Sequence, residues 1–274
     1  MTSSQSLGAR YARFQQQVPA QTKTIGGVTW RWYEQGHGTP AIVILPGAVG
    51  GADLLFLLFD TLAPQMRVIG IDLPYVEDAT AAVDQMNALL DELGVRDAIF
   101  LGASFSGLFV QAFARRHPER TRALILSHTG ALDPARADRQ RVNARRAAKI
   151  PLSISRGMLR LVVRLLLRGI DERRFWIERY DEVLNALDRS ALVSRYLLEA
   201  SIEDRRDPPW RGDVLVIHSD NDAVAKPEEQ ARLRDAYPAA AFHLFKGAGH
   251  SSYTKDPDAY AAAILRFVTA RPRA

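Results

Sequence analysis

Ser104, Asp222 and His250 have the residue types, order and settings that nucleophilic catalysis requires. A serine hydroxyl is a weak nucleophile near neutral pH, so a base must take its proton. Imidazole titrates in the right range, and a carboxylate beside it fixes its tautomer and orientation. Ser104 follows the apolar run Ala98-Ile-Phe-Leu-Gly102 and precedes a helix-like stretch from Leu108 to His117. In that setting of strand, turn and helix, G-x-S-x-G presents its serine at a sharp elbow. Such a turn tolerates only small residues two before and two after the serine. Gly102 and Ser106 meet that demand around Ser104, with Ser106 standing where the pattern has glycine. Taking Ser106 as nucleophile would put the bulky Leu108 in the turn, so Ser104 is the expected one.

The acid and the base stand in similar places. The apolar run 214–218 leads into Ser219-Asp220-Asn221-Asp222, and the run 241–245 leads into Lys246-Gly-Ala-Gly-His250. Strands that end in polar loops are where α/β proteins carry their chemistry. Asp220 competes with Asp222 for the acid role, and Asp133 is a third candidate.

The elements that must position these groups follow from hydrophobic periodicity. Segments 21–25 and 28–35 flank Gly26-Gly27, a two-residue hairpin signal. Strand and helix patterns then alternate over 41–45, 52–62, 67–72, 79–93, 98–102, 105–117 and 123–128. Between 132 and 207 the pattern is helical only, after which 213–218, 227–236, 241–245 and 256–269 restore the alternation. Such alternation predicts a mostly parallel sheet with helices on both faces. The helical block is expected to be an inserted cap, dividing the chain into core (1–130), cap (131–209) and core (210–274). A helix-like segment over 7–17 reads as an appendage.

With these pieces in place, the chain from about residue 21 to 270 resembles the α/β-hydrolase fold superfamily. The matching motifs are Leu45-Pro-Gly-Ala-Val-Gly-Gly51, Val68-Ile-Gly-Ile-Asp-Leu-Pro74, the elbow, Arg116-His-Pro-Glu-Arg120, Asp222 and Gly247-Ala-Gly-His250. The order serine, acid, histidine is that of this superfamily. Its acid stands four residues past the strand's end, which favours Asp222 over Asp220. Residues 45–56, 72–75 and 102–107 are weakly similar to the maspardin branch. The resemblance implies a serine hydrolase of the carboxylic ester type, cleaving an ester, thioester or related acyl bond of a small molecule. Carbon–carbon hydrolysis on the same triad, or a maspardin-like binding role with little turnover, are the alternatives. Members usually carry His-Gly where this chain has Pro46-Gly47, but an oxyanion hole uses backbone N–H groups. Ala48 and Phe105 would supply them.

Composition narrows the rest. The chain has no cysteine, which excludes disulfides and cysteine-based redox or metal chemistry. No histidine pair has zinc-ligand spacing, and no phosphate-cradling glycine motif is present, so neither metal nor cofactor is expected. A polar N-terminus and the lack of a long apolar run suggest a cytoplasmic protein. Charge concentrates in the cap, where residues 131–212 hold 18 basic and 12 acidic side chains, a net of +6. Arg156, Arg160, Arg164 and Arg168 form a stripe opposite Leu159, Leu161, Val162, Leu165 and Leu166. The expectation is that the leucine face covers the site while the arginines stay in water. A helix lying on an anionic membrane is the alternative, and nucleic acid has no matching motif. Ser106, His128, Phe175, Trp176 and Tyr180 are candidates to line the pocket. His218 could also line it, while His37, His117 and His243 read as surface or structural positions.

Overall fold

The chain runs first into α1 (Leu7–Gln17), then into the hairpin of β1 (Gln21–Ile25) and β2 (Val28–Gln35), in a computed structural model describing residues 5–202 and 209–270. Gly26 and Gly27 make the turn at φ 55° and 80°, left-handed values that glycine adopts without a side-chain clash. Strand and helix then alternate through β3 (Ala41–Leu45), α2 (Phe56–Leu62), β4 (Val68–Asp72), α3 (Ala79–Glu92), β5 (Ala98–Ala103), α4 (Phe105–Arg116) and β6 (Thr121–Ser127). Four helices follow without a strand: α5 (Pro134–Lys149), α6 (Leu152–Leu166), α7 (Arg173–Ala186) and α8 (Arg189–Ser201). The alternation resumes with β7 (Asp213–Ser219), α9 (Pro227–Ala236), β8 (Ala241–Phe245), α10 (Ser252–Lys255) and α11 (Pro257–Thr269). Residues 203–208, which the cap expectation includes, lie outside the described residues.

The eight strands form one sheet in the order β1-β2-β4-β3-β5-β6-β7-β8. β2 is antiparallel to both its neighbours, and every pairing from β4 to β8 is parallel. Alternate residues face opposite sides. Ile42, Ile44, Ile99, Leu101, Ile125 and Ile217 pack toward α2 and α11. Val43, Phe100, Leu124, Leu126 and Val216 pack toward α3 and α4. Both faces are covered, which is why the parallel strands read as unbroken apolar runs. From β3 the chain moves to β4 on one side, and β5 lies on the other. The carboxyl ends of β3 and β5 therefore flank a topological switch point, where open α/β sheets form a ligand crevice.

Two expectations are corrected. α1 is not an appendage. Its Tyr11 and Phe14 are buried, with ring centroids 5.3 Å from Phe56 and 5.0 Å from Phe59 respectively. Arg10 also reaches Asp60 at 3.0 Å. The second correction concerns part of α6: Leu159, Val162 and Leu166 do face the site, but the arginines at 156, 160 and 164 are not left to water. Arg156 donates to the Leu187 carbonyl at 2.6 Å, while Arg160 and Arg164 pair with Asp181 of α7 at 3.2 and 3.0 Å. The stripe is thus turned toward α7, whose carboxylate and C-terminal carbonyl offer fixed acceptors. Ile154, Met158, Leu161, Val162 and Leu165 are instead 45–60% exposed.

Candidate active site

Ser104 follows β5 directly, with φ 53° and ψ −116°, a conformation that L-residues rarely adopt. The turn survives because its neighbours are small. A Cβ on Gly102 would approach the Ser106 carbonyl oxygen at 2.6 Å, and one on Gly107 would approach Thr129 at 2.5 Å. The Ser104 N–H donates to the Ser127 carbonyl at 2.8 Å, which ties the elbow to β6. Ser106 does not line the cavity. It is fully buried, donates to the Leu45 carbonyl at 2.8 Å and accepts from the Ala103 N–H at 2.9 Å. Where the pattern has glycine, this serine fastens the elbow to β3.

Four successive residues, from the last of β7 onward, each hold one residue of the loop after β8. Ser219 Oγ accepts from the Ala248 N–H at 3.0 Å, and Asp220 accepts from the Gly247 N–H at 2.7 Å. Asn221 accepts from the Gly249 N–H at 2.7 Å, and both Asp222 oxygens lie 2.9 Å from His250 Nδ1. Gly247 and Gly249 adopt φ 66° and 63°, which lets the loop follow this row of acceptors. His250 Nε2 then lies 3.0 Å from Ser104 Oγ. Asp220 is accordingly a loop clip. Asp133 caps α5 by accepting from the Ala135 N–H at 3.0 Å.

The Asp222 side chain is fully buried. Burial by itself would raise its pKa. Hydrogen bonds from His128 and His250, and from the Val224 N–H, outweigh this and hold the carboxyl well below the usual carboxylate range. His128 is the unexpected member. It sits just past β6 with φ 51°, places Nδ1 2.9 Å from Asp222 Oδ2, and places Nε2 2.8 Å from Ser252 Oγ. Because the carboxylate only accepts, Nδ1 carries the proton and Nε2 accepts, including from the Ser252 N–H at 3.2 Å. The sequence marked His128 as a strand-end residue, and it does line the cavity. Its bond to the acid is a tertiary fact that no spacing encodes.

Behind His128 lies His218, 3% exposed, with no hydrogen-bond partner on either ring nitrogen among the described residues. Burial and the neighbouring His128 push its pKa down to about 4. His128, His218 and Asp222 bring ligand atoms within 4.8 Å of one another, a gathering of possible metal ligands that pair spacing along the chain did not reveal. In the present arrangement His128 and Asp222 are both spent on hydrogen bonds.

A cavity of about 260 Å³ opens onto Ser104 and His250. Leu54, Leu159, Val163, Leu166 and Tyr180 contribute its walls, and among the described residues no Lys or Arg lines it. Gly47 and Ala48 border it, with a Cβ on Gly47 falling 3.7 Å from Ser104 Cβ, so this loop lies against the elbow. Asp72 anchors the loop by accepting from the Ala52 N–H at 2.5 Å. Phe105 is the first residue of α4, where backbone N–H groups have no partner within the helix. Of the three aromatic candidates in the cap, Tyr180 alone reaches the cavity. Phe175 and Trp176 pack on Phe56, with centroids 5.9 Å away in both cases, because that aromatic cluster offers them a dry surface.

These features agree with what comparison finds. The pattern of the alpha/beta hydrolase fold family matches residues 40–257. The chain belongs to that family, and it is a hydrolase. It is 22% identical over 249 residues to the pimeloyl-(acyl-carrier protein) methyl ester esterase of Yersinia enterocolitica, covering 86% of this chain and 96% of that protein. Among solved structures, an esterase from Thermogutta terrifontis matches with TM-score 0.73 and 22% identity over 92% of this chain and 98% of its own. The enol-lactonase of Burkholderia xenovorans matches with TM-score 0.75 and 19% identity over 91% of this chain and 100% of its own. Among the described residues, no helix is long and apolar enough to cross a membrane.

Proposed function

We propose that this chain is a serine hydrolase that cleaves an ester or related acyl bond of a small, neutral molecule through an acyl-enzyme. The observation that carries the reading is the line of Ser104 Oγ, His250 Nε2 and Asp222, with contacts of 3.0 and 2.9 Å, at the floor of an apolar cavity. Ser104 Oγ attacks the carbonyl carbon while His250 Nε2 takes its proton. Asp222 keeps the Nδ1–H of His250 pointed inward and stabilises the imidazolium that forms. The tetrahedral oxyanion is held by the N–H groups of Ala48 and Phe105, the latter assisted by the positive end of α4. His250 then protonates the leaving alcohol. Water enters, gives its proton to His250, and attacks the acyl group to release acid and restore Ser104. The aliphatic walls and the lack of lining cations support an apolar, uncharged acyl group. The Yersinia relative is named for cleaving a methyl ester, which supports an ester as the scissile bond.

The test is a fluorophosphonate probe followed by a panel of p-nitrophenyl esters of increasing chain length. Labelling of the wild type but not of Ser104→Ala, with ester turnover that saturates, supports the reading. An unlabelled wild type that turns over no ester would leave a binding role in its place.

A further inference from the structure

α6 is apolar over a wider arc than the site needs. At about 100° per residue, Ile154, Met158, Leu161 and Leu165 fall within about 60° of one another on its outer side. They are 53%, 60%, 60% and 45% exposed. Leu159, Val163 and Leu166 occupy the adjoining arc and line the cavity. Arg156, Arg160 and Arg164 occupy the third and are held by Leu187, Asn185 and Asp181 of the neighbouring chain segment. A Cβ on Gly157 would meet nothing within 4 Å, so the outer side is open along this turn as well. Val162 and Val224 belong to both surfaces: each lines the cavity and is 46% exposed. The cavity mouth therefore opens beside the apolar row.

The chain segment that carries this row is basic. Residues 139–170 contain nine Arg and Lys and no Asp or Glu, and Arg145, Arg146, Lys149 and Arg168 are exposed. An exposed apolar helix face within a basic chain segment is the physical form of an interface-binding helix. We propose that α6 docks this protein on an anionic lipid surface, with Ile154, Met158, Leu161 and Leu165 entering the headgroup boundary. A second copy of the chain would set the basic 139–170 segments against each other, which charge repulsion opposes. A peptide would need a groove, whereas the outer side of a helix is a ridge.

The experiment is co-sedimentation of the full chain with vesicles of phosphatidylcholine alone or mixed with phosphatidylglycerol. Partition onto the mixed vesicles is expected, weakening severalfold when salt rises from about 50 to about 500 mM. The double variant Leu161→Gln, Leu165→Gln should bind about tenfold or more weakly, with an unchanged melting midpoint and unchanged turnover of a water-soluble ester. Arg145→Gln with Arg168→Gln should reduce binding at low salt only. Binding is read without turnover, so its outcome is separate from whether Ser104 is a nucleophile. Wild type that partitions onto neither vesicle would overturn the proposal. So would a double variant that binds as well as wild type, or light scattering that shows a dimer broken by these substitutions with no vesicle binding.

Discussion

His128 Nδ1 lies 2.9 Å from Asp222 Oδ2, an oxygen that also meets His250 Nδ1. One buried carboxylate thus takes hydrogen bonds from two imidazoles, and the second imidazole is tied through Ser252 to the loop carrying the first. The left-handed backbone at His128 costs conformational energy, and holding the acid gives that strain a use. His128→Asn should lower kcat about 10–100-fold with little change in KM, the scale of one lost bond to a charged group. It should also move the acid limb of the pH–rate profile to higher pH, because a carboxylate with one donor fewer attracts the imidazolium form of its other partner more strongly. A variant that melts lower but keeps the wild-type profile would reduce His128 to a packing residue.

Ser104→Ala and His250→Ala should each abolish nearly all turnover, and the double variant should be little worse, since the groups act as a unit. Asp222→Asn should cost roughly 10²–10⁴-fold through the wrong imidazole tautomer. Asp220→Asn should cost far less, because its observed task is to hold the Gly247 N–H. Steady-state kinetics of the five variants checks the order, and a dead Asp220→Asn beside an active Asp222→Asn would reverse the assignment.

Stability should fall as the solution becomes mildly acidic. His128 and His218 are both held below the ordinary histidine range, His218 at about 4, chiefly by burial. An unfolded chain protonates histidine near pH 6.5. Between there and about pH 4 the unfolded state binds more protons than the native one, so lowering the pH favours unfolding. For His218 the span from 6.5 to about 4, at about 1.36 kcal/mol per pH unit, is on the order of 3 kcal/mol. Asp222 adds to this below about pH 4, where its depressed carboxyl stays ionised in the native state alone. Calorimetry at pH 7, 5.5 and 4.5 should show a falling midpoint, with a smaller fall in His218→Leu. Equal falls in both proteins would contradict the role given to His218.

Charge reversal on α6 should disturb the cap, not the approach of substrate. Arg160 and Arg164 share Asp181, so Arg160→Glu with Arg164→Glu puts three carboxylates together. A loss of about 1–2 kcal/mol in stability is expected for these half-exposed pairs. Turnover of a neutral soluble ester should change less than about twofold between about 20 and 200 mM salt. A strong salt dependence in wild type, absent from the variant, would return the stripe to the role of an electrostatic guide.

The sequence by itself determined the strand–helix alternation, the elbow at Ser104 and the order of the three chemical groups. These are local properties: apolar runs, small residues flanking a turn, and polar loops after strands all survive without knowledge of neighbours. The helical block before β7 was legible for the same reason. The tertiary structure alone decided which polar groups meet. Asp220 and Asp222 look alike along the chain, yet the register of one loop against another gives Gly247 to the first and His250 to the second. His128 joins Asp222 across 94 residues, and α1 closes an aromatic cluster with Phe56 and Phe59. For α6, periodicity identified an arginine face and an apolar face correctly. Which residues of each face met water depended on Asp181 and Leu187, whose positions are set by how α7 packs beside it.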